Sequence, residues 1–354
     1  MRVGILSYPM LFQREGGLQI QVRSTIAALR ALDIPALQVE LVDPNRQRID
    51  SYDVIHVFSA INGNYRLVEL ANELGVPVVL SALLSPGWSR IAGFRARLAD
   101  RLVGRLTDWN VQTSYAQTKR ALQLAQIVVA LGQAERTALV DGFRVEPSKI
   151  RLLPNGISPR FFNADPGLFL RQTGLDEPFV LMVGAISPYK NQLGLVQALA
   201  NSDLPIVLIG RAQRQHQAYL QQLLASPKVR WMGQLEHEDP LLASAYAAAS
   251  VLALPSQGEV FPLSVLEALA AGTPVVMTDE SALSLPASDF ALKQLRWNDT
   301  SALGEAIHGF VASPPERNAV RALVSAFTWQ RVALQIAGCY QHLYERSQRV
   351  SHAV

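Results

Sequence analysis

Short apolar runs alternate with amphipathic segments along most of the chain. Runs such as residues 76–80 are rich in Val and Leu, which is typical of strands covered on both faces. The pattern predicts strands at 2–6, 36–40, 53–58, 76–80, 126–130, 149–153, 179–183, 204–209, 228–232, 250–254 and 274–277, and helices at 17–32, 191–200, 213–225 and 262–271. This alternation predicts an α/β fold with parallel sheets and right-handed crossovers.

The predicted strands could form one large sheet, but a break in the pattern favours two domains. Turn-forming residues cluster at 154–159 and again at 164–167. A chain of 354 residues is also about twice a common domain size. We therefore predict a first domain at 1–157 and a second at 158–328. The segment after residue 328 has apolar residues at helical spacing and predicts a long C-terminal helix.

Composition excludes several classes of protein. Hydrophobic residues make up 49% of the chain, which excludes a mainly disordered protein. A net charge of +3 is too small for a dedicated nucleic-acid binder. One cysteine excludes a disulfide framework, and the scattered histidines lack the spacing of metal ligands. No run of about 20 apolar residues occurs, and residues 1–9 are typical of a buried strand, so we expect a cytoplasmic protein.

Two loops at predicted strand ends carry candidate anion-binding residues, because open parallel sheets bind ligands beyond the carboxyl ends of their strands. Gly16 and Gly17 precede a helix, where free N–H groups and the helix dipole favour an anion. Lys190 precedes another helix after strand 179–183 and could reach phosphate oxygens. A flexible turn and a solvated lysine remain the alternatives.

The most informative segment is 255–276. Pro262 fits the first position of a helix that Gly272 and a following proline end. Glu259 then lies in the loop before this helix, and Glu267 lies in its middle among Leu and Ala. A buried carboxylate without a partner costs several kcal/mol, so we expect ligand hydroxyl groups to bind Glu267. The alternative is a solvated helix stripe.

Glu259 and Glu267, in the segment EVFPLSVLE, resemble the EX7E motif of the retaining nucleotide-sugar glycosyltransferases of family GT4. Other segments that resemble family motifs follow in the same order along nearly the whole chain: 16–22, 53–58, 151–157, 183–191, 229–233 and 329–333. The resemblance implies the GT-B fold, in which two Rossmann-like domains face a deep cleft. It also implies that helix 329–354 crosses back to complete the first domain.

The resemblance implies a role for each matching position. Glu259 would contact the donor sugar, Glu267 the ribose, and Lys190 the leaving diphosphate. The other positions that would bind the donor are Gly16, Gly17, Gly184, Arg211, Gly233, Phe261, Leu263 and Ser264. The implied activity is metal-independent transfer of a sugar, with retained configuration, from a nucleotide diphosphate sugar to a glycan or lipid-linked acceptor. Such transfer serves bacterial cell-surface or glycolipid synthesis.

Two departures from the family pattern leave other functions open. Ala185 stands where the family usually has arginine, and segment 81–86 lacks a usual histidine. Arg211 follows another strand-end glycine and could supply the missing cation. A catalytically silent nucleotide-sugar-binding subunit is the first alternative. A GT-B nucleotide-sugar epimerase is the second, although EX7E together with the Lys190 segment disfavours it.

Residues 88–109 form a basic amphipathic segment. Five arginines flank apolar residues at helical spacing, against two aspartates. The apolar positions are Ile91, Phe94, Leu98, Leu102, Leu106 and Trp109. Such a helix could lie on the inner face of the plasma membrane, or it could pack into the core with a solvated basic edge.

Overall fold

The computed structural model describes residues 1–8, 11, 16–61, 63–108 and 111–351. The strands are β1 Arg2–Leu6, β2 Gln38–Leu41, β3 Val54–Phe58, β4 Val78–Ser81, β5 Ile127–Ala130, β6 Ile150–Leu152, β7 Val180–Val183, β8 Ile206–Ile209, β9 Val229–Trp231, β10 Val251–Leu254, β11 Val275–Thr278 and β12 Leu292–Leu295. The helices are α1 Gly17–Arg30, α2 Tyr65–Glu73, α3 Arg90–Leu106, α4 Ser114–Leu124, α5 Gln133–Phe143, α6 Pro159–Phe162, α7 Gly167–Thr173, α8 Gln192–Ala198, α9 Gln217–Leu224, α10 Pro240–Ala248, α11 Leu263–Ala270, α12 Thr300–Ala312, α13 Arg317–Ala322 and α14 Trp329–Ser351.

The described strands form two parallel sheets of six strands each. The first has the order β2-β1-β3-β4-β5-β6 and the second the order β12-β11-β10-β7-β8-β9. In the second sheet the chain builds outward from β7 on one side and from β10 on the other. Strand order therefore reverses between these two strands, and the loops after them lie at a topological switch point, where open parallel sheets bind ligands. The predicted α/β fold with parallel sheets is confirmed.

The chain forms two compact units, and each has its own sheet. The first unit contains Met1–Gly156 and the C-terminal helix α14, and the second contains Ile157–Thr328. The division falls one residue before the predicted boundary. Pro262 also differs from its prediction by one position. Its backbone is extended, and it precedes α11 instead of opening it.

Buried polar contacts attach α14 to the first sheet. Tyr340 of α14 lies 2.6 Å through its hydroxyl from His56 Nδ1, and His56 Nε2 lies 2.9 Å from Ser81 Oγ. Complete burial lowers the pKa of His56 to about 3, so the imidazole is neutral. Both of its nitrogens have hydrogen-bond partners. His56, on the strand that resembles a family motif, therefore contributes to the core of the first unit.

Strand β12 is absent from the predicted strands. It pairs with β11 at one end of the second sheet, and its two central residues, Lys293 and Gln294, are exposed. A short strand at the edge of a sheet pairs with a single neighbour and can expose its central side chains. It therefore needs no continuous apolar run, and the hydrophobic pattern does not reveal it.

Glu135 of α5 is a buried carboxylate that holds two strand-end loops of the first unit. Its Oε1 accepts a hydrogen bond of 2.8 Å from the Leu84 N–H, and its Oε2 accepts one of 2.7 Å from the Leu131 N–H. Leu84 follows β4 and Leu131 follows β5. Burial raises the pKa of the Glu135 carboxyl to about 7, although the backbone donors oppose this shift.

This pKa predicts a pH-dependent effect of Glu135→Gln on stability. The amide can accept only one of the two N–H groups, so at pH 4.5 the variant should be less stable by about 1–3 kcal/mol. The native carboxyl binds its proton more tightly than the unfolded one, so the wild type loses stability as pH rises from 4.5 to about 7. The difference in the free energy of unfolding between wild type and variant should therefore narrow as pH rises, by at most about 3 kcal/mol.

Urea unfolding of both proteins across this pH range measures the gap. Glu73→Gln, at an exposed position on α2, is the matched control and should differ from the wild type by a constant amount. A gap for Glu135→Gln that widens with pH would show that the backbone hydrogen bonds outweigh burial and favour the ionised carboxylate.

Candidate functional site

The loops after β7 and β10 join at the switch point of the second sheet. The Gln257 N–H donates to the Tyr189 carbonyl at 2.9 Å, and the Tyr189 hydroxyl donates to the Gly258 carbonyl at 2.8 Å. Beside these bonds, Lys190 Nζ donates to Glu259 Oε1 at 2.5 Å. Two residues that the sequence singled out, 69 positions apart in the chain, are thereby in direct contact.

The pair of Lys190 and Glu259 is partly open to solvent, with side chains 23% and 13% exposed. The stem of Lys190 crosses Gly184, where an added Cβ would lie 3.7 Å from Lys190 Cε. The Glu259 N–H donates to the Glu280 carbonyl at 2.8 Å, which fixes the carboxylate-bearing loop. An anion that reached this site would therefore meet a positioned ammonium group that already has a carboxylate partner.

Gly184 and Gly210 allow the loops after β7 and β8 to approach closely. A Cβ on Gly210 would lie 1.9 Å from the Gly184 carbonyl oxygen, a distance that no side chain permits. Next to this crossing, the Ile186 N–H donates to the Arg211 carbonyl at 2.9 Å. Ala185 and Arg211 are both exposed, and within the described residues the Arg211 side chain has no ion pair. The structure thus brings Arg211 beside the loop in which the family arginine is missing.

Gly233 follows β9 and bonds to the same group of loops. Its carbonyl accepts a 2.7 Å hydrogen bond from the Gly210 N–H, and its φ of 73° lies in the left-handed region that favours glycine. The backbones of Gly184, Gly210 and Gly233 therefore form a connected series at the carboxyl ends of β7, β8 and β9.

Helix α11 presents its N-terminus after the Glu259 loop. No side chain caps this end, and Leu263 and Ser264 in its first turn are half-buried. Its first N–H groups remain suited to an anion. Phe261 is buried, and its ring lies 6.4 Å from that of Phe327. Its contact with the donor stays a prediction.

Glu267, in the middle of α11, is 5% exposed and has hydrogen-bond partners within the protein. Its Oε1 lies 2.7 Å from His237 Nε2, and its Oε2 accepts a 2.8 Å hydrogen bond from the Tyr246 hydroxyl. The alternative of a solvated stripe is wrong. The expectation that ligand hydroxyls alone would pair with this carboxylate is corrected too, because two side chains already bind it.

Arg160 orients His237 toward Glu267. Its guanidinium lies 2.9 Å from His237 Nδ1 and also contacts the His237 carbonyl and Glu238. Because arginine only donates, Nδ1 must accept, and we assign the imidazole hydrogen to Nε2, which donates to Glu267. The 3.3 Å approach of Glu238 to Nδ1 is then a contact without a hydrogen bond.

Tyr246 completes this network from α10. Burial, together with the Glu267 charge, holds the pKa of its hydroxyl well above the usual value, so the group stays protonated and donates. Arg160, His237 and Tyr246 were not among the predicted site residues. The only signal in the sequence is a tyrosine within the apolar helix segment 240–249, and no local pattern pairs it with Glu267.

Gly16 and Gly17 belong to the first unit, where they begin α1. Gly16 has extended backbone, and no atom from a non-adjacent part of the described chain lies within 4 Å of where a Cβ would stand on either glycine. The binding of an anion at this helix N-terminus stays a prediction. Most of the loop that precedes Gly16 lies outside the described residues.

Two family models match the chain in succession. The model for Glycosyltransferase Family 4 matches residues 8–161, and the model for Glycosyl transferases group 1 matches residues 170–285. The chain belongs to the family 4 glycosyltransferases. This agrees with the resemblance carried by the EX7E segment and extends it across both units.

A curated relative is similar to this chain in sequence, and two solved structures are similar to it in fold. The D-inositol 3-phosphate glycosyltransferase of Stackebrandtia nassauensis is 29% identical over 244 residues, which cover 60% of this chain and 53% of the relative. The chain spans about half the length of the curated relatives that it matches first.

Among solved structures, sucrose-phosphate synthase from Thermosynechococcus elongatus has a TM-score of 0.74 at 20% identity and covers 98% of this chain and 99% of its own. The Anabaena protein HepE, solved in complex with UDP, has a TM-score of 0.70 at 19% identity and covers 97% of this chain and 100% of its own. Together with the two parallel sheets, these similarities establish the GT-B fold for this family 4 glycosyltransferase.

Proposed function

We propose that the protein transfers a sugar from a nucleoside diphosphate sugar to a glycan or lipid-linked acceptor in bacterial cell-surface or glycolipid synthesis. It would act in the cytoplasm, at the inner face of the plasma membrane. The observation that carries the proposal is the contact of Lys190 with Glu259 at the switch point of the second sheet. That contact places a cation and a carboxylate beside the uncapped N-terminus of α11.

The proposed reaction retains the configuration of the sugar. An acceptor hydroxyl oxygen bonds to the anomeric carbon while the bond from that carbon to the phosphate oxygen breaks. The electron pair leaves with the diphosphate, and the hydroxyl proton passes to the departing phosphate oxygen on the same face. Lys190 and the N–H groups of α11 would stabilise the negative charge that develops on the diphosphate, and Glu259 would hold the donor sugar.

Glu267 would bind the ribose of the donor. Each carboxylate oxygen has two acceptor sites, so ribose hydroxyls can bind while His237 and Tyr246 keep their bonds. His237, which Arg160 holds in place, would then orient the carboxylate toward the ligand. The UDP complex of the structurally similar Anabaena protein supports a nucleotide ligand for this fold.

A second candidate is a nucleotide-sugar-binding subunit without turnover. The exposed Ala185 favours it, because the loop lacks the cation that the family usually has there. Incubation with UDP-, GDP- and ADP-linked sugars separates the two functions. Release of nucleoside diphosphate supports the transferase, and tight binding of a nucleotide sugar without release supports the silent subunit.

Glu259→Gln should lower kcat by about tenfold or more while the Kd of free nucleotide changes little. The substitution preserves shape but removes the charge that faces the donor sugar and Lys190. Steady-state kinetics and calorimetric titration with UDP, GDP and ADP measure the two effects. Glu280→Gln, an exposed position in the neighbouring loop, is the matched control. An unchanged kcat in Glu259→Gln would exclude the proposed role of Glu259 in turnover.

Activity should persist in EDTA, because Lys190 and the N-terminus of α11 are proposed to neutralise the diphosphate in place of a divalent cation. Rates measured before and after chelation, with Mn²⁺ or Mg²⁺ added back, test this expectation. Loss of activity that either ion restores would contradict the proposed role of Lys190 and the helix.

A further inference from the structure

Helix α3, in the first unit, exposes its large apolar side chains. Residues 91, 94, 98, 102 and 106 share one face of the helix, and each is between 49% and 85% exposed. These side chains are Ile91, Phe94, Leu98, Leu102 and Leu106. A surface helix of a globular protein normally turns its large apolar residues toward the core, so this arrangement is the reverse of the usual one.

The inner face of α3 packs through small residues instead. An added Cβ on Gly93 would lie 2.3 Å from the Gly142 carbonyl oxygen of α5, so the two helices touch through their backbones. Trp88, just before α3, supplies bulk to the core and lies 4.8 Å from the Phe143 ring and 5.6 Å from the Tyr115 ring. The core of the first unit is therefore complete without the large side chains of α3. The interpretation of this segment as a core helix is wrong.

The charged residues of α3 are sorted between its two faces. Asp100 accepts a 2.7 Å hydrogen bond from the Thr113 hydroxyl, and Arg97 donates to the Tyr115 hydroxyl and the Gly142 carbonyl. Arg90, at the first position, pairs with Asp141 at 3.0 Å. Asp100, the acidic residue of the helix, is therefore half-buried and already has a hydrogen-bond partner.

The remaining arginines stand among the exposed apolar residues. Arg95, Arg101 and Arg105 are exposed, and within the described part of the chain none of them has an ion pair. We define the outer face of α3 as these three arginines with Ile91, Phe94, Leu98, Leu102 and Leu106. This face is about 25 Å long, counting 1.5 Å per residue, and contains no acidic side chain. Trp109, which the sequence grouped with it, lies outside the described residues.

We propose that the outer face of α3 binds the surface of an anionic lipid bilayer. The apolar side chains would enter the boundary between headgroups and acyl chains, while the arginine stems extend so that their guanidinium groups meet lipid phosphates. A second copy of the chain fits less well, because a two-fold contact would bring unpaired arginines against one another. Binding of a bilayer by this face would not depend on which reaction the protein catalyses. No described helix is long and apolar enough to cross a bilayer, so contact would be peripheral.

Co-sedimentation of the 354-residue chain with vesicles tests the proposal. Vesicles of phosphatidylcholine mixed with phosphatidylglycerol should bind the wild type, and vesicles of phosphatidylcholine alone should bind it at least about tenfold more weakly. Arg101→Glu/Arg105→Glu should lose at least about tenfold in affinity for the anionic vesicles. Phe94→Ser/Leu98→Ser should lose binding as well, although its charge is unchanged.

Matched variants separate this face from general effects of charge and polarity. Arg346→Glu/Arg349→Glu makes the same change in net charge at exposed positions of α14, and Leu334→Ser removes another exposed leucine. Both should bind anionic vesicles as the wild type does, and circular dichroism should show that all variants are folded. Failure of the wild type to bind, or equal loss in the α14 variants, would overturn the proposal. So would a wild-type dimer in sedimentation velocity that Phe94→Ser/Leu98→Ser dissociates, since the face would then be an interface between copies.

Discussion

Lys190→Ala should lower kcat/KM by about 10²- to 10³-fold, the typical cost of losing one preorganised group that stabilises developing charge. A diphosphate gains negative charge as its bond to the sugar breaks, so a fixed ammonium beside it stabilises the transition state more than the ground state. The family usually has two cations on this loop, and this chain keeps Lys190 alone. Steady-state kinetics with the donor found in the nucleotide-sugar screen measures the effect.

The contact between Lys190 and Glu259 requires a control, because removal of the lysine also leaves a carboxylate without its cation. A double-mutant cycle with Glu259→Gln separates the two causes. If Lys190 acts on the diphosphate, Lys190→Ala should remain damaging in the Glu259→Gln background. If the lysine only neutralises Glu259, its removal should cost nothing further there, and the diphosphate assignment would be wrong.

Steady-state kinetics of further variants also tests whether Arg211 replaces the missing arginine. The Arg211 carbonyl accepts a hydrogen bond from the Ile186 N–H, so Arg211 lies beside the loop that contains Ala185. Arg211→Ala should then reduce kcat/KM, and Ala185→Arg added to it should restore part of the loss. A change within about twofold for Arg211→Ala, which is usual for an exposed residue, would leave this compensation unsupported.

Glu267→Ala should weaken the binding of free nucleotide by about 1–3 kcal/mol, or about 5- to 150-fold, because it removes charge-assisted hydrogen bonds to ribose. The structure adds a second expectation. The Tyr246 hydroxyl is fully buried and would lose its acceptor, so the free energy of unfolding should fall by about 1–3 kcal/mol as well. Titration with UDP, GDP and ADP well below the unfolding temperature, together with urea unfolding, measures the two effects separately.

Tyr246→Phe is the matched variant for this second prediction. It removes the hydroxyl but leaves Glu267 bonded to His237, so stability should fall while the Kd of nucleotide stays within about twofold. A Glu267→Ala protein that binds nucleotide as tightly as the wild type would exclude the ribose role. Loss of nucleotide affinity in Tyr246→Phe would instead show that orientation of the carboxylate matters as much as its charge.

The sequence alone determined the α/β fold, its parallel strands and the loops that carry the candidate site. Continuous apolar runs mark strands buried on both faces, and this signal is local, so all eleven predicted strands correspond to strands in the structure. The position of Lys190 and Glu259 at strand ends also follows from local order. Their direct contact does not, because 69 residues separate them and only the pairing of β7 with β10 brings their loops together.

Tertiary structure alone decided the surroundings of Glu267 and the orientation of α3. Spacing along the chain shows that Glu267 lies in an apolar helix, but its partners come from other elements that pack around it. Likewise, helical periodicity defines an apolar stripe on α3 without saying which way it faces. In the structure, Gly93 packs against the Gly142 backbone, and the large apolar residues of α3 face outward. A pattern of one element cannot specify its direction, because burial depends on what the neighbouring elements present to it.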